Sequence, residues 1–406
     1  MWSNAFDLRP NQGLPMPLIV ALSVMAGISV ANIYYCQPLL NMIREDTGLS
    51  VFEVNLMPVF TQIGYALGLL FIIPLGDLYN RRKTILASFL AAIAALLVIA
   101  ARPSATGLLA ASFVVGIASV SPQVFIPFVL LYAKPEQKER KAGIVLSGLL
   151  VGILASRVVS GYVGHAMGWR TMYVIAAAIM TLSALVILRI FPNVTPTYRG
   201  TFASLMKSIR QLAVRYPRSL LYALRSAFAF GSLLGMWGCM AFRMKEAPFF
   251  ADSDTVGLLG LCGVAGALTA SNVGKYIPRY GVERINAFGV ALILLAWIIM
   301  GTLDNTYAGM IAGIVIIDIG MQSIQLSNQS ATMRLCPEAT SRMNTIYMVT
   351  YFIGGSFGTF IAGTMWSLFG WSGTVGAGIA LILCSVLITL GHRAFRKRTS
   401  QETKDL

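Results

Sequence analysis

The chain has 406 residues, 56% of them hydrophobic and only 12% charged, with a mean hydropathy of +0.72, whereas a soluble domain carries about 25% charged residues. That composition excludes an ordinary soluble enzyme or binding module and predicts an integral membrane protein. The formal charge of +15 does not argue for nucleic acid, because the Lys and Arg residues sit in short breaks between apolar runs; the expected surface partner is the lipid bilayer.

In chain order, 1–14 contains Asp7 and Arg9 and no small-residue cleavage site, and the apolar run after it is too long for a signal segment, so it reads as an uncleaved first span. Runs long enough for a hydrocarbon core, roughly 20 residues each, predict spans near 17–40, 53–75, 84–101, 107–132, 142–164, 171–191, 219–242, 256–278, 285–303, 307–333, 343–369 and 372–392. With a cytoplasmic N-terminus, Arg44, Arg102, Arg170, Arg243 and Lys245 fall outside and Arg157 and Arg225 fall within spans. The rest of the 31 Lys and Arg lie on the cytoplasmic side, the asymmetry that orients membrane proteins. An odd number of spans would scramble it. The expected fold is therefore all-α, with twelve transmembrane helices and both termini cytoplasmic.

The longest break, 192–218, follows the sixth span. Its stretch 201–216 puts Phe202, Leu205, Ile209, Leu212 and Tyr216 on one helical face, away from Lys207, Arg210 and Arg215, which predicts a basic amphipathic helix on the cytoplasmic leaflet. It joins an N-terminal six-helix half, 1–191, to a C-terminal one, 219–392, with a tail at 393–406. The halves resemble each other. Gly152, Gly161, Gly168 and Trp169 align with Gly354, Gly363, Gly370 and Trp371 at one fixed offset, and Gly76–Arg81 aligns with Gly274–Arg279 at nearly the same offset. Duplicated halves around a shared site are a transporter plan, because rocking one against the other exposes the site alternately to each side.

Several spans carry more polar or aromatic groups than packing needs. The first has Ser29, Asn32 and Tyr35 at spacings of three, with Tyr34 and Gln37 beside them. In the fourth, Ser119, Ser121 and Gln123 surround Pro122, which lacks a backbone donor and leaves carbonyls available. Gly152, Ser156, Ser160 and Gly161 in the fifth read as a close-packing surface, but Arg157 among them does not. An intramembrane Arg calls for a partner, here among the polar groups of the first span, or for snorkelling to the surface. In the seventh span Phe228, Phe230, Trp237 and Gly231 offer rings and a bend, while Arg225 lies near enough to the cytoplasmic end to snorkel.

The tenth span is the most informative. Asp318, Gln322, Gln325 and Gln329 recur at spacings of four, three and four, flanked by Asn328. This stripe faces either a cavity or neighbouring helices as hydrogen-bond glue. Asp318 is the acid that lies deep within a span, and a low-dielectric site raises a carboxylate's proton affinity while cations or donors lower it. Alternating surroundings therefore suit it to carry a proton. Five scattered cysteines without C-x-x-C, and two histidines, His165 and His392, far apart in sequence, support neither a disulfide framework nor a metal site; no cofactor is expected.

With 31–40 (ANIYYCQPLL), 76–83 (GDLYNRRK), 118–128 (ASVSPQVFIPF), 168–170 (GWR) and 342–355 (RMNTIYMVTYFIGG), the chain resembles the major facilitator superfamily, and within it bacterial drug and metabolite proton antiporters, most closely small exporters with N-I-Y-Y-x-Q-P-L-L in the first helix. The resemblance implies a central cavity lined by helices 1, 4, 7 and 10, and so a substrate cavity of Asn32, Tyr34, Tyr35, Gln37, Gln123, Arg157, Phe230, Trp237, Gln322, Gln325 and Gln329. It implies a conformational latch at Gly76, Asp77, Asn80, Arg81 and Arg82. There Asn80 stands where the family has Asp, and Asp77 is the nearest substitute. The antiporters' helix-4 Arg is Ser112 here, and the Pro of their helix-5 motif is Arg157.

The implied function is export of small organic molecules (drug, sugar or metabolite) by proton antiport, with Asp318 as the proton site, by a monomer in the bacterial cytoplasmic (inner) membrane. A uniporter or proton-coupled importer is the alternative. A membrane-embedded lipid enzyme is a distant one, because it needs a nucleophile with a base or a metal cluster near an interface.

Overall fold

The computed structural model describes residues 11–101, 104–193 and 200–402, with the backbone alone for Asp77, Ser271 and 392–402. Asp7, Arg9, Arg102, the side chains of Asp77 and His392, and the tail's side chains lie outside the described residues. Within them there is no strand, and eleven helices are long and apolar enough to cross a membrane. The last of these, Pro337–Gly391, is 55 residues long, far more than the roughly 20 that one crossing takes. Gly370 interrupts it with φ 60° and ψ −145°, values open to a residue without Cβ.

The chain divides into two compact units. Unit 1 comprises the residues up to Ser208 together with Met240–Leu261. It holds α1 (Met16–Ala31), α2 (Cys36–Thr47), α3 (Val51–Leu78), α4 (Arg81–Ala100), α5 (Ala105–Ala118), α6 (Pro122–Tyr132), α7 (Lys138–Met167) and α8 (Trp169–Ile190). To these it adds the start of α9 (Phe202–Arg215), the end of α10 (Pro217–Lys245), and α11 (Ser253–Leu259). Unit 2 comprises Ile209–Cys239 and the residues from Cys262 onward, hence most of α10 with α12 (Val264–Tyr280), α13 (Val282–Thr302), α14 (Tyr307–Arg334) and α15 (Thr340–Glu402).

Three membrane-crossing runs are broken partway. Met16–Thr47 parts at 32–35 into α1 and α2, Ala105–Tyr132 parts at 119–121 into α5 and α6, and a 3₁₀ turn at Gly260–Gly263 separates α11 from α12. Two of the breaks have a proline cause. Pro122 is the first residue of α6 and Pro38 lies in the first turn of α2; each removes an i→i−4 bond and frees a carbonyl upstream. The third sits among Gly257, Gly260 and Gly263, whose lack of Cβ weakens helix preference.

Small residues let helices touch at backbone distance within each unit. In unit 1 a Cβ at Gly152 would lie 2.3 Å from Gly27 Cα, which sets α7 against α1. In unit 2 a Cβ at Gly358 would lie 2.2 Å from Gly231 Cα, which sets α15 against α10. The matched glycines of the sequence repeat also share a backbone shape: Gly168, like Gly370, has positive φ, and the tryptophan after each is buried. The amphipathic pattern at 201–216 forms α9, whose Leu205 and Ile209 are buried and whose Phe202 ring stacks on Phe71 at 6.2 Å. Part of that apolar face therefore rests on protein.

Candidate functional site

Each unit carries its own polar cluster. In unit 1 the cluster gathers around the breaks in α1–α2 and α5–α6. The Ser29 hydroxyl, in the last turn of α1, donates to the Ser119 carbonyl at 3.2 Å and so ties α1 to the α5–α6 break. One helical turn on, Asn32 is 4% exposed, yet neither end of its amide has a hydrogen-bond partner among the described residues, and the Ser121 hydroxyl is buried in the same condition. A buried polar group left unpaired costs about 1–3 kcal/mol, so these atoms are poised for a ligand or for ordered water.

Arg157 of α7 is also buried there. Its Nε donates to Gln37 Oε1 at 2.8 Å, and its guanidinium carbon lies 4.9 Å from the Tyr34 ring centroid, a cation–π distance. This arginine does not snorkel; its partners come from the first run, as its depth in the sequence suggests. Tyr35 is buried beside them, and Gln123, partly buried, interacts with Tyr65 of α3. Sequence reasoning missed Tyr65, which its bond to Gln123 ties to the cluster.

In unit 2 the structure sorts the amide file of α14. Gln325 and Gln329 are tied to α15: the Tyr351 hydroxyl donates to Gln325 Oε1 at 3.0 Å, the Tyr347 hydroxyl to the Gln325 carbonyl at 2.9 Å, and Gln329 Nε2 to Asn344 Oδ1 at 2.8 Å. Asn328 points the other way, donating to Asn286 Oδ1 of α13 at 2.8 Å. Gln322 has no such bond among the described residues and stays partly buried beside Asp318. Asp318 is 9% exposed, and Gly266 of α12 lies against it: a Cβ there would meet Asp318 Cβ at 3.2 Å and Gln322 Cγ at 3.3 Å. The Phe230 ring stacks on Tyr351 with centroids 3.9 Å apart, and Trp237 is buried farther along α10. Tyr347 and Tyr351, four residues apart, were missed as members of this cluster.

Arg225 corrects an expectation. It does not reach the surface but is 0% exposed, with Nη1 2.8 Å from Glu283 Oε1 at the start of α13. The guanidinium is buried against the Glu283 carboxylate, which is itself 44% exposed, and the Arg225 carbonyl accepts from Ser385 of α15.

In the loop between α3 and α4, Asn80 caps α4 by accepting from Lys83 N at 3.3 Å and bonds to Asn193. Arg81 Nε donates to the Gly76 carbonyl at 3.3 Å, and Arg82 donates to the Leu188 carbonyl in the last turn of α8, where a cation complements the helix dipole. The residue standing in place of the family's Asp thus serves as a neutral cap.

The Major Facilitator Superfamily profile matches residues 22–359. The uncharacterized transporter YgaY of Escherichia coli is 33% identical over 380 residues, 94% of this chain and 96% of its own. A probable transporter of Streptomyces coelicolor is 31% identical over 370 residues, 91% of this chain and 85% of its own. The crystal structure of the nucleoside transporter NupG superposes with a TM-score of 0.74 at 12% identity, covering 94% of this chain and all of that one. These relatives are transporters, not membrane-embedded enzymes. On a profile match over most of its length and on relatives that span nearly all of it, this chain belongs to the Major Facilitator Superfamily.

Proposed function

We propose that the protein exports small, neutral, polar or amphipathic organic molecules by proton antiport, through twelve spans with both termini in the cytoplasm of a bacterial cell. It works as a monomer in the cytoplasmic membrane. The observation that carries this reading is Asp318, a carboxylate only 9% exposed in the middle of a membrane helix, on the face shared with Gln322 and lined by Gly266 of α12. Burial favours the neutral acid and water or a cation favours the carboxylate, so a change of surroundings during alternating access loads and unloads one proton. The unpaired amide of Asn32 and hydroxyl of Ser121 supply donor and acceptor for a substrate's hydroxyl or amide groups. They offer no charge, which is why neutral solutes fit.

The latch is assigned to the loop of Gly76, Asp77, Asn80, Arg81 and Arg82, in which Arg82 holds the end of α8. The test begins with a library of neutral solutes screened by thermal stabilisation of the purified protein. A stabilising solute is then reconstituted in proteoliposomes with an imposed pH gradient and an internal pH dye. Antiport requires proton movement opposite to the solute, abolished by Asp318→Asn with downhill solute exchange retained. Solute flux without proton movement would point instead to a uniporter, and co-directional flux to an importer.

A further inference from the structure

The outward face of α12 changes character along its length. Val264 and Leu268 come first, 43% and 63% exposed, as side chains that face hydrocarbon are. One turn beyond Leu268 the same face carries Asn272, Lys275, Tyr276, Arg279 and Tyr280, all exposed, at the spacings of three and four that keep side chains on one side of a helix. The opposite face is packed: Val273 and Ile277 form a buried cluster with Ile285 of α13, and Leu326 of α14 rests against it. The apolar run that holds Val264 and Leu268 ends at Ala270. The basic and aromatic turns therefore begin where the hydrocarbon ends and extend about 12 Å along the helix axis.

Within these turns a basic residue followed by tyrosine occurs twice, as Lys275-Tyr276 and Arg279-Tyr280, and 272–280 contains no acid. Asn272 Oδ1 accepts from Lys275 Nζ at 3.3 Å, and the Arg279 guanidinium carbon lies 5.4 Å from the Tyr280 ring centroid. Neither cation meets a carboxylate among the described residues. The Tyr276 and Tyr280 rings are 52% and 45% exposed, with centroids 6.3 Å apart. A phenol has an apolar body and a polar tip, which is why tyrosine gathers where hydrocarbon meets water. There is room beside the stripe, because a Cβ at Gly274 or Gly281 would meet nothing within 4 Å. Pro278 has no N–H, so the exposed Gly274 carbonyl, four residues back, lacks its helical donor and can accept from another group.

We propose that this face of α12 binds an anionic phospholipid, with the phosphate at Lys275 and Arg279, the headgroup flanked by the two tyrosine rings, and an acyl chain along Leu268 and Val264. Apolar side chains followed by cations interleaved with phenols match the order of acyl chain and phosphate in one lipid molecule. A soluble anion or an acidic protein segment has no use for the apolar part. Lysine supplies a compact charge and arginine a planar fork for two phosphate oxygens. Phosphatidylglycerol leaves a net negative charge on the two cations and offers hydroxyls to the Gly274 carbonyl, whereas phosphatidylethanolamine brings an ammonium group against them. Each Lys or Arg near an anionic lipid surface strengthens attachment about fivefold. Binding of this kind depends neither on the solute transported nor on which side of the membrane α12 ends.

Native mass spectrometry of the detergent-purified protein, titrated with phosphatidylglycerol or phosphatidylethanolamine of identical acyl chains, measures the first bound lipid. The wild type is expected to hold phosphatidylglycerol at least fivefold more tightly. Lys275→Gln with Arg279→Gln should lower that affinity about 25-fold. Lys134→Gln with Arg140→Gln, which removes the same charge from exposed positions of unit 1, should lower it less than twofold. All four side chains are exposed, so both double variants should keep the wild-type thermal midpoint.

Hydrogen exchange in nanodiscs locates the lipid. Exchange at 272–281 must be slower with phosphatidylglycerol than with phosphatidylethanolamine in the wild type, and equal in the two lipids after Lys275→Gln with Arg279→Gln. Equal retention of the two lipids by the wild type, equal losses in the two double variants, or exchange at 272–281 that ignores the lipid overturns the proposal. Inorganic phosphate should displace no more phosphatidylglycerol than chloride does at the same ionic strength. Displacement specific to phosphate would make the occupant a free anion and overturn the lipid.

Discussion

The Arg225–Glu283 pair offers a quantitative test of how unit 2 is held together. Glu283→Gln keeps an oxygen in place of Oε1 but removes its charge, leaving a guanidinium that is 0% exposed and whose Nε and Nη2 have no hydrogen-bond partner among the described residues. At 2.8 Å the Coulomb attraction is about 6 kcal/mol at an effective dielectric of ~20 and about 1.5 kcal/mol in bulk water. The Glu283 side chain is 44% exposed, which moves the value toward the lower figure, so the expected loss is about 2–3 kcal/mol. Arg225→Met should cost less, because it removes the buried cation together with its unpaired donors, and adding Glu283→Gln to it should cost little more. Denaturant unfolding in detergent micelles, run as a double-mutant cycle, measures all three. A wild-type midpoint for Glu283→Gln, or simple additivity in the double variant, would refute the reasoning.

Gly152→Leu drives a side chain into Gly27, whose Cα would lie 2.3 Å from the new Cβ. α1 and α7 must part, and a thermal midpoint drop equivalent to about 1–3 kcal/mol is expected, with Gly143→Leu, in open space, as the neutral control. Asn286→Leu removes one of the two acceptors of the buried Asn328 Nδ2, which keeps only the Ile324 carbonyl, and a loss of about 1 kcal/mol should appear in the same melts. The hydrogen bond from Lys245 holds the Asp252 carboxyl below its ordinary value. Its contribution is complete above about pH 4 and lost as the pH falls through the lowered value. Resistance of the 246–252 loop to an acid protease should decline over that window by at most a few tenths of a kcal/mol, and Asp252→Asn should abolish the decline.

Much of this architecture was legible in the chain itself, because a bilayer leaves few choices. Backbone polar groups must pair within helices and apolar runs must match the hydrocarbon thickness, so every predicted span from 17–40 onward lies within or largely overlaps a helix of the structure. Gly152 and Gly161 announced close helix contact for the same reason: without side chains, only backbone approach gives them packing. Asp318 stood out because an acid in an apolar run has no cheap explanation.

Tertiary structure decided which polar groups are engaged. The sequence could line up Gln322, Gln325 and Gln329 on one face, but only the approach of α15 gave Gln325 and Gln329 to Tyr351 and Asn344 and left Gln322 beside Asp318. It could place Arg225 near a helix end, but not bring Glu283, 58 residues away, within 2.8 Å. Nor could it say that Ser29 of α1 bonds to the break at 119–121, or that Gly257 and Gly260 pack on Arg157. Periodicity records which face of a helix is polar. What that face touches depends on contacts far apart in sequence, and these exist only once the helices have packed.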